Sequence, residues 1–125
     1  MSKFKEIQDE VINKYHIDIC TDSKCRSRMH AHIKERRVCK WSPKNSFAAT
    51  FDLFHEIGHI ETTKSNMRRC EAEYYATDWA IKRCKEYGIK IKSQTLDEYQ
   101  AYIDMELERG IRRGGDGYNQ LKLKV

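Results

Sequence analysis

The chain lacks the apolar runs that a membrane protein needs. No apolar stretch approaches the roughly 20 residues that span a bilayer, and the segment from Met1 to Glu6 lacks the apolar region of a secretory signal. We therefore expect no membrane segment and a cytoplasmic location. A length of 125 residues suffices for a modest core, so we expect a single domain over residues 1–125.

Regularly spaced cysteine pairs are also missing. There are five cysteines at irregular positions: Cys20, Cys25, Cys39, Cys70 and Cys84. An odd number without a pattern argues against a disulfide framework and favours a reducing compartment. Cys20, Cys25, His30 and His32 contain no tight Cys-x-x-Cys pair, so they match no zinc pattern. A turn cysteine and two histidines on a solvated strand face explain them equally well, and we expect no second metal site.

A nucleic-acid motif is absent, although the chain has a net charge of +5. Much of this charge lies between Lys24 and Lys44, where eight basic residues accompany one acid, Glu35. A basic patch can attract nucleic acid or an acidic protein. Trp41 is the only aromatic residue in this segment. We interpret the patch as a solvated face or a rim that faces a substrate, and we do not expect nucleic-acid binding.

The most informative stretch is His55-Glu56-Ile57-Gly58-His59. Residues four apart lie on one face of a helix, so His55 and His59 can hold one metal ion together. Glu56 lies at the flank of that face, where it can act as a general base toward water. An apolar stripe at helical spacing packs the helix into a core and places the histidines at its edge: Phe47, Phe51, Phe54 and Gly58.

A catalytic zinc site usually has three protein ligands, so a third must come from another segment. A short polar connection follows His59, and a second helix begins near Met67. Helices joined by a short connection pack antiparallel, which brings Glu71 and Glu73 within reach of the histidines. The two glutamates lie about 200° apart around the helix, so only one of them can face the metal.

The remaining pattern predicts an α+β domain of helices packed on a small sheet. In the first part of the chain we expect a helix over about 4–15, a turn over 17–25, strands within 28–41 and the histidine-bearing helix, capped by Asn45 or Ser46. The helix that carries Glu71 and Glu73 should end at Gly88, followed by an extended link or short strand over 88–92 and a last helix from a Thr95 capping box to Gly110. We expect a flexible loop over 112–117 and an edge strand or ordered tail over 121–125. Ala72, Ala76 and Ala80 predict close helix packing.

The two motifs together resemble the ImmA/IrrE family of zinc metallopeptidases, whose pattern is HE(I/L)GH followed by Glu-Ala-x-x-aromatic-Ala. Here the second motif is Glu71-Ala72-Glu73-Tyr74-Tyr75-Ala76, and the resemblance covers roughly residues 45–81. It implies a zincin-like fold and a zinc ion on His55, His59 and Glu71, with Glu56 as the base. The gap between the motifs is shorter than is common in the family, so Glu73 is the alternative third ligand.

Three further residues are candidates for supporting roles. Asp52 precedes His55 by three positions and could orient a ligand histidine. Tyr75 and Asp78 follow Glu71 by four and seven positions, so they share its side of the helix. Either one could orient Glu71 or donate to a developing oxyanion.

The resemblance implies a metallo-endopeptidase that hydrolyses a protein substrate. Relatives act on a DNA-binding repressor of a mobile element or stress regulon, and no helix-turn-helix is evident here, so such a repressor would be a separate chain. The alternative function is a non-catalytic zinc-binding module that sequesters a regulatory protein.

Overall fold

The computed structural model describes residues 3–21, 28–114 and 121–124, which form a small α+β fold of four helices and three short strands. The elements in chain order are α1 (Lys3–Lys14), β1 (Asp18–Cys20), β2 (His30–His32), β3 (Arg37–Cys39), α2 (Phe47–Thr62), α3 (Arg69–Glu86) and α4 (Ser93–Arg112). The predicted α+β class is confirmed. No described helix combines the length and the apolar composition needed to cross a membrane.

The sheet has the order β1-β3-β2, with β1 parallel and β2 antiparallel to the central strand. Val38 of β3 lies opposite Ile19 and Ala31, and this row packs on the main core. Because side chains alternate along a strand, the neighbouring row of Cys20, Cys39 and His30 points to the other face.

The strands predicted within residues 28–41 are confirmed, but the turn predicted over residues 17–25 is partly wrong. Asp18–Cys20 forms a strand, because its backbone pairs with β3 and the flanking Ile17 packs into the core. This pairing joins segments far apart in the sequence, so local turn signals did not reveal it. The rest of that predicted turn, including Cys25, lies outside the described residues.

Helix α2 is the most buried element, as its apolar stripe predicted. Phe51, Phe54 and Ile57 are almost completely buried. Ser46 caps the helix by accepting a hydrogen bond from the backbone N–H of Ala49, at 3.2 Å. The first turns are also fixed from outside, since the Trp41 indole donates to the Ala49 carbonyl at 2.8 Å. The sheet and the site-bearing helix are therefore joined at the start of α2.

Helices α2 and α3 pack closely and antiparallel, because late residues of α2 meet early residues of α3. A Cβ atom added at Gly58 would lie 2.4 Å from the carbonyl oxygen of Ala76. Real Cβ atoms do not approach that closely, so only glycine fits at this crossing. The predicted small-residue contact surface of α3 is confirmed at Ala76 and Ala80, which are both fully buried.

Helix α4 differs from its prediction at both ends. It begins at Ser93, and its N-cap Lys92 makes no side-chain capping bond, so the predicted Thr95 capping box does not open the helix. It continues past Gly110 to Arg112. Packing of residues such as Ile103 and Tyr99 against the rest of the fold outweighs the local end signals. Residues 89–92 form an extended link rather than a strand.

The tail over residues 121–124 is ordered against α4. Gln100 accepts a hydrogen bond from the backbone N–H of Leu123 at 2.7 Å and donates to the carbonyl of Leu121 at 2.9 Å. It forms no strand, so the ordered-tail alternative of the prediction is the one confirmed for these described residues.

Candidate metal centre

Three side chains from two helices converge in the structure: His55 and His59 from α2, and Glu73 from α3. One potential ligand atom of each lies within 4.8 Å of the others. Nε2 of His59 is 2.8 Å from Oε2 of Glu73, and Nε2 of His55 is 3.4 Å from Oε1 of the same carboxylate. The packing of α2 against α3 therefore brings together a group that could bind a metal ion.

The rotation of α3 about its axis decides which glutamate joins this group. Glu73 lies about 60° from Ala76, the residue that touches Gly58, whereas Glu71 lies about 140° from it. Glu71 instead accepts a hydrogen bond from the backbone N–H of Arg68 at 3.2 Å, at the start of α3. The structure thus groups the alternative residue, Glu73, with the histidines and directs Glu71 to the helix terminus.

The group is nearly enclosed, and its charges are balanced within the protein. Burial disfavours the charged form of His55, but the Glu56 and Glu73 carboxylates outweigh this effect and raise its pKa to about 9. Burial likewise opposes the charge on Glu73, yet the adjacent His55 and His59 imidazoles lower its pKa to about 2. The two carboxylates favour a positive charge here.

One buried atom at the centre lacks a hydrogen-bond partner among the described residues. Nε2 of His55 is inaccessible to solvent, and its contact with Glu73 does not have hydrogen-bond geometry. A buried ring nitrogen without a partner is unusual and asks for an explanation. A cation beside Glu73 would satisfy this nitrogen, so the residues fit a metal ion.

Glu56 lies next to the group but is not one of its three members. Its Oε2 is 3.7 Å from Nδ1 of His55, on the ring edge away from Glu73. Its side chain is 13% exposed and lines the same cleft as the histidines. Glu56 is thus close enough to act on a molecule in the cleft without sharing the position of the ligand atoms.

The cleft has a volume of about 1100 Å³ and is walled by four different elements. His55, Glu56 and His59 of α2 line it beside Glu73 of α3. Strand β2 borders one side through His30 and Ala31, with Met29 just before it, and α4 borders another through Glu98, Tyr99 and Tyr102. The candidate metal-binding group therefore opens onto a space that can admit part of another molecule.

The proposed supporting residues take different positions from one another. Asp52 lines the cleft, where its Oδ1 accepts a hydrogen bond from the Tyr99 hydroxyl at 3.1 Å. Burial raises the pKa of Asp52, although the bond from Tyr99 counteracts it. Tyr75 is 41% exposed, and Asp78 forms an ion pair with Lys82 at 2.9 Å. Neither Tyr75 nor Asp78 lines the described cleft.

Sequence reasoning did not identify Tyr99 as a site residue. Its ring centroid lies 4.8 Å from that of His55, and its hydroxyl connects α4 to Asp52 of α2. Helical spacing from Leu96 through Tyr99, Ile103 and Leu107 predicts that Tyr99 lies on the inward face of α4. No local signal, however, indicated that this face would meet the histidine helix.

Comparison of the chain with protein-family models, curated proteins and solved structures finds no match. The likeness to the ImmA/IrrE family therefore depends on the two motifs alone and stays a prediction. The geometry of His55, His59 and Glu73 is consequently the observation from which a function is inferred.

Proposed function

We propose that this chain is a zinc-dependent metallo-endopeptidase with a zincin-like fold. The observation that carries the proposal is the convergence of His55, His59 and Glu73 in an open cleft, with Glu56 beside them. A purely structural zinc site usually has four protein ligands, whereas a catalytic site has three and leaves one position for water or substrate. The group of two imidazoles and one carboxylate has the second composition.

Zinc fits this donor set because imidazole nitrogens and carboxylate oxygens are both among its usual ligands. His55, His59 and Glu73 would hold the ion, with Glu73 taking the place that the family resemblance gives to Glu71. When bound, zinc acts as a Lewis acid that polarises a carbonyl and makes water a nucleophile near neutral pH.

Glu56 has the chemistry and the position of a general base. In amide hydrolysis its carboxylate would take a proton from the attacking water and deliver it to the leaving amine as the carbon–nitrogen bond breaks. Its partial burial, at 13% exposure, limits competition from solvent.

A peptide segment in extended conformation is the substrate class that the cleft supports best. Strand β2 is at one edge of the sheet, and residues around it border the cleft. An edge strand offers backbone groups on its open side, to which an extended peptide can add as a further strand. By the family resemblance, we propose that this peptide belongs to a separate protein, such as a DNA-binding repressor.

The test compares the wild-type protein with Glu56→Gln. Both are loaded with zinc and incubated with a proteome-derived peptide mixture and with a native protein extract, and new termini are identified by mass spectrometry. We expect products from the wild type and a loss of about 10²–10⁴ in their rate of formation for Glu56→Gln. Zinc affinity, measured by titration, should remain within about threefold because Glu56 is not a ligand.

Two other outcomes would redirect the assignment. Equal cleavage by both proteins would contradict the role of Glu56 as the base. Zinc binding by both proteins without products from either would favour the alternative, a non-catalytic zinc module that sequesters a regulatory protein.

A further inference from the structure

A second group of potential metal ligands lies on the face of the sheet that points away from the main core. It consists of His30 and His32 of β2 and Cys39 of β3. Cys39 lies directly opposite His30 in the antiparallel register, and His32 follows two residues later on the same face. One ligand atom from each residue lies within 4.8 Å of the others.

The hydrogen bonds of His30 define which of its ring nitrogens is free to bind a metal. Nδ1 of His30 lies 2.7 Å from the carbonyl oxygen of Arg28, which can only accept a hydrogen bond. In the neutral ring, Nδ1 therefore carries the proton and Nε2 carries a lone pair. A backbone carbonyl that fixes one imidazole nitrogen in this way is a common arrangement behind metal-bound histidines.

The lone pair of His30 Nε2 is close to the second histidine. Nε2 of His30 and Nε2 of His32 are 3.1 Å apart. Two imidazole nitrogens on one tetrahedral zinc ion are about 3.3 Å apart, given bonds of about 2.0–2.1 Å. The observed separation is therefore nearly that of two ligands on one ion, although a hydrogen bond donated by neutral His32 would give a similar distance.

Cys39 favours the metal interpretation. A hydrogen bond between two imidazoles does not require a thiol, yet the completely buried Cys39 sulfur shares the space with both nitrogens. A thiolate and two imidazoles form a donor set that suits zinc and similar soft cations. His32 is exposed, so an ion can reach the group from solvent.

We propose that His30, His32 and Cys39 bind a second zinc ion, which fastens β2 to β3. The ligands come from the two strands of one hairpin, so the ion links these strands, and three protein ligands leave its fourth position for water. Because β2 also borders the cleft, the ion stabilises one wall of the space beside His55 and Glu56. The site does not depend on the proposed peptidase function.

Cobalt titration of the reduced, metal-free full chain separates the two groups, because a thiolate bound to Co²⁺ gives a near-ultraviolet charge-transfer band and the helical group contains no sulfur. We expect this band in the wild type and in His59→Ala, and its loss in Cys39→Ser. Cys84→Ser is the matched control, because Cys84 is as completely buried as Cys39 but lies on α3, and it should keep the band. Absence of the band in the wild type, or its survival in Cys39→Ser, would overturn the proposal.

His32→Ala tests the same site without disturbing the core, because His32 is exposed. Loss of a residue that hydrogen-bonds a metal ligand lowers metal affinity by up to about 100-fold. Loss of one of the three ligands should lower the cobalt affinity, measured from the charge-transfer band, by about as much or more. Zinc content should fall from about two ions per chain to about one. A wild-type titration curve for folded His32→Ala would contradict the assignment.

Discussion

The two ligand groups of this chain differ in how they are assembled and in the chemistry that they can support. The helical group places His55 and His59 one turn apart and adds Glu73 from a second helix. The strand group joins residues of β2 and β3 through sheet register. The spacing of residues along one helix follows from their separation in the sequence, whereas strand register depends on how two strands pair.

Their surroundings differ in the same way. Two carboxylates flank His55, and one of them, Glu56, remains beside an open cleft. The strand group contains a buried thiol and no carboxylate. A carboxylate next to an open metal position suits hydrolysis. The strand group includes no such base, so the two groups can support different chemistry despite equal ligand counts.

The largest expected effect that sharpens this comparison comes from replacing each glutamate of α3 separately by glutamine. Glu73→Gln removes a ligand from the helical group, so its zinc affinity should fall by about 100-fold or more. Glu71→Gln is the matched control, since Glu71 contacts the Arg68 backbone instead. It should change zinc affinity by about threefold or less and cost roughly 0.3–1 kcal/mol of stability at the helix start.

Competition titration with a zinc chelator, together with thermal unfolding, measures both effects. The thiolate-to-cobalt band should be the same in both variants, because neither glutamate belongs to the strand group. A larger loss of zinc affinity in Glu71→Gln than in Glu73→Gln would show that the ligand implied by the family resemblance is the correct one.

The sequence predicts the helical group well because its geometry depends on little beyond the helical conformation of α2 and the rotation of α3. One helical turn fixes His55 against His59, and the apolar stripe determines which side is buried. The choice between Glu71 and Glu73 required the rotation of α3. The predicted contact at Ala76 contained that information, since Glu73 lies on the same side of the helix and Glu71 does not.

The strand group could not be predicted because strands β2 and β3 had to be aligned first. The sequence showed His30 and His32 beside Cys20 and Cys25, but the spacing of these four residues matches no zinc pattern. Cys39 comes into place only through the antiparallel register that sets it opposite His30. The parallel pairing of β1 was missed for the same reason, since its partner lies 19 residues further along the chain.

An intermediate effect is expected at the helix crossing that supports only the helical group. In Gly58→Ala the new methyl would meet the Ala76 backbone at 2.4 Å, which flexible side chains cannot relieve. Overpacking costs about 1–3 kcal/mol, and alanine regains about 1 kcal/mol of helix propensity. We expect a net loss in thermal stability of several degrees and weaker zinc binding at His55 and His59, with the cobalt–thiolate band unchanged.

Gly110→Ala is the matched control for this substitution, because it is also a glycine inside a helix. There the new methyl would lie 2.9 Å from the terminal nitrogen of Arg68, a flexible side chain that can move. Its melting temperature should stay close to that of the wild type, within the change produced by about 1 kcal/mol. Equal destabilisation by both substitutions would contradict the special role of the Gly58 crossing.

The smallest effect is expected on the side of α3 that faces away from both groups. Asp78→Asn removes an exposed ion pair with Lys82 four residues later, which is worth about 0.3–0.5 kcal/mol. Zinc titration should give the wild-type affinity for the helical group, and the cobalt–thiolate band should be unchanged. Asp78, Tyr75 and Glu71 share one side of the helix, so a tenfold loss of zinc affinity here would mean that α3 turns this side toward His55 and His59, and that Glu73 is not the third ligand.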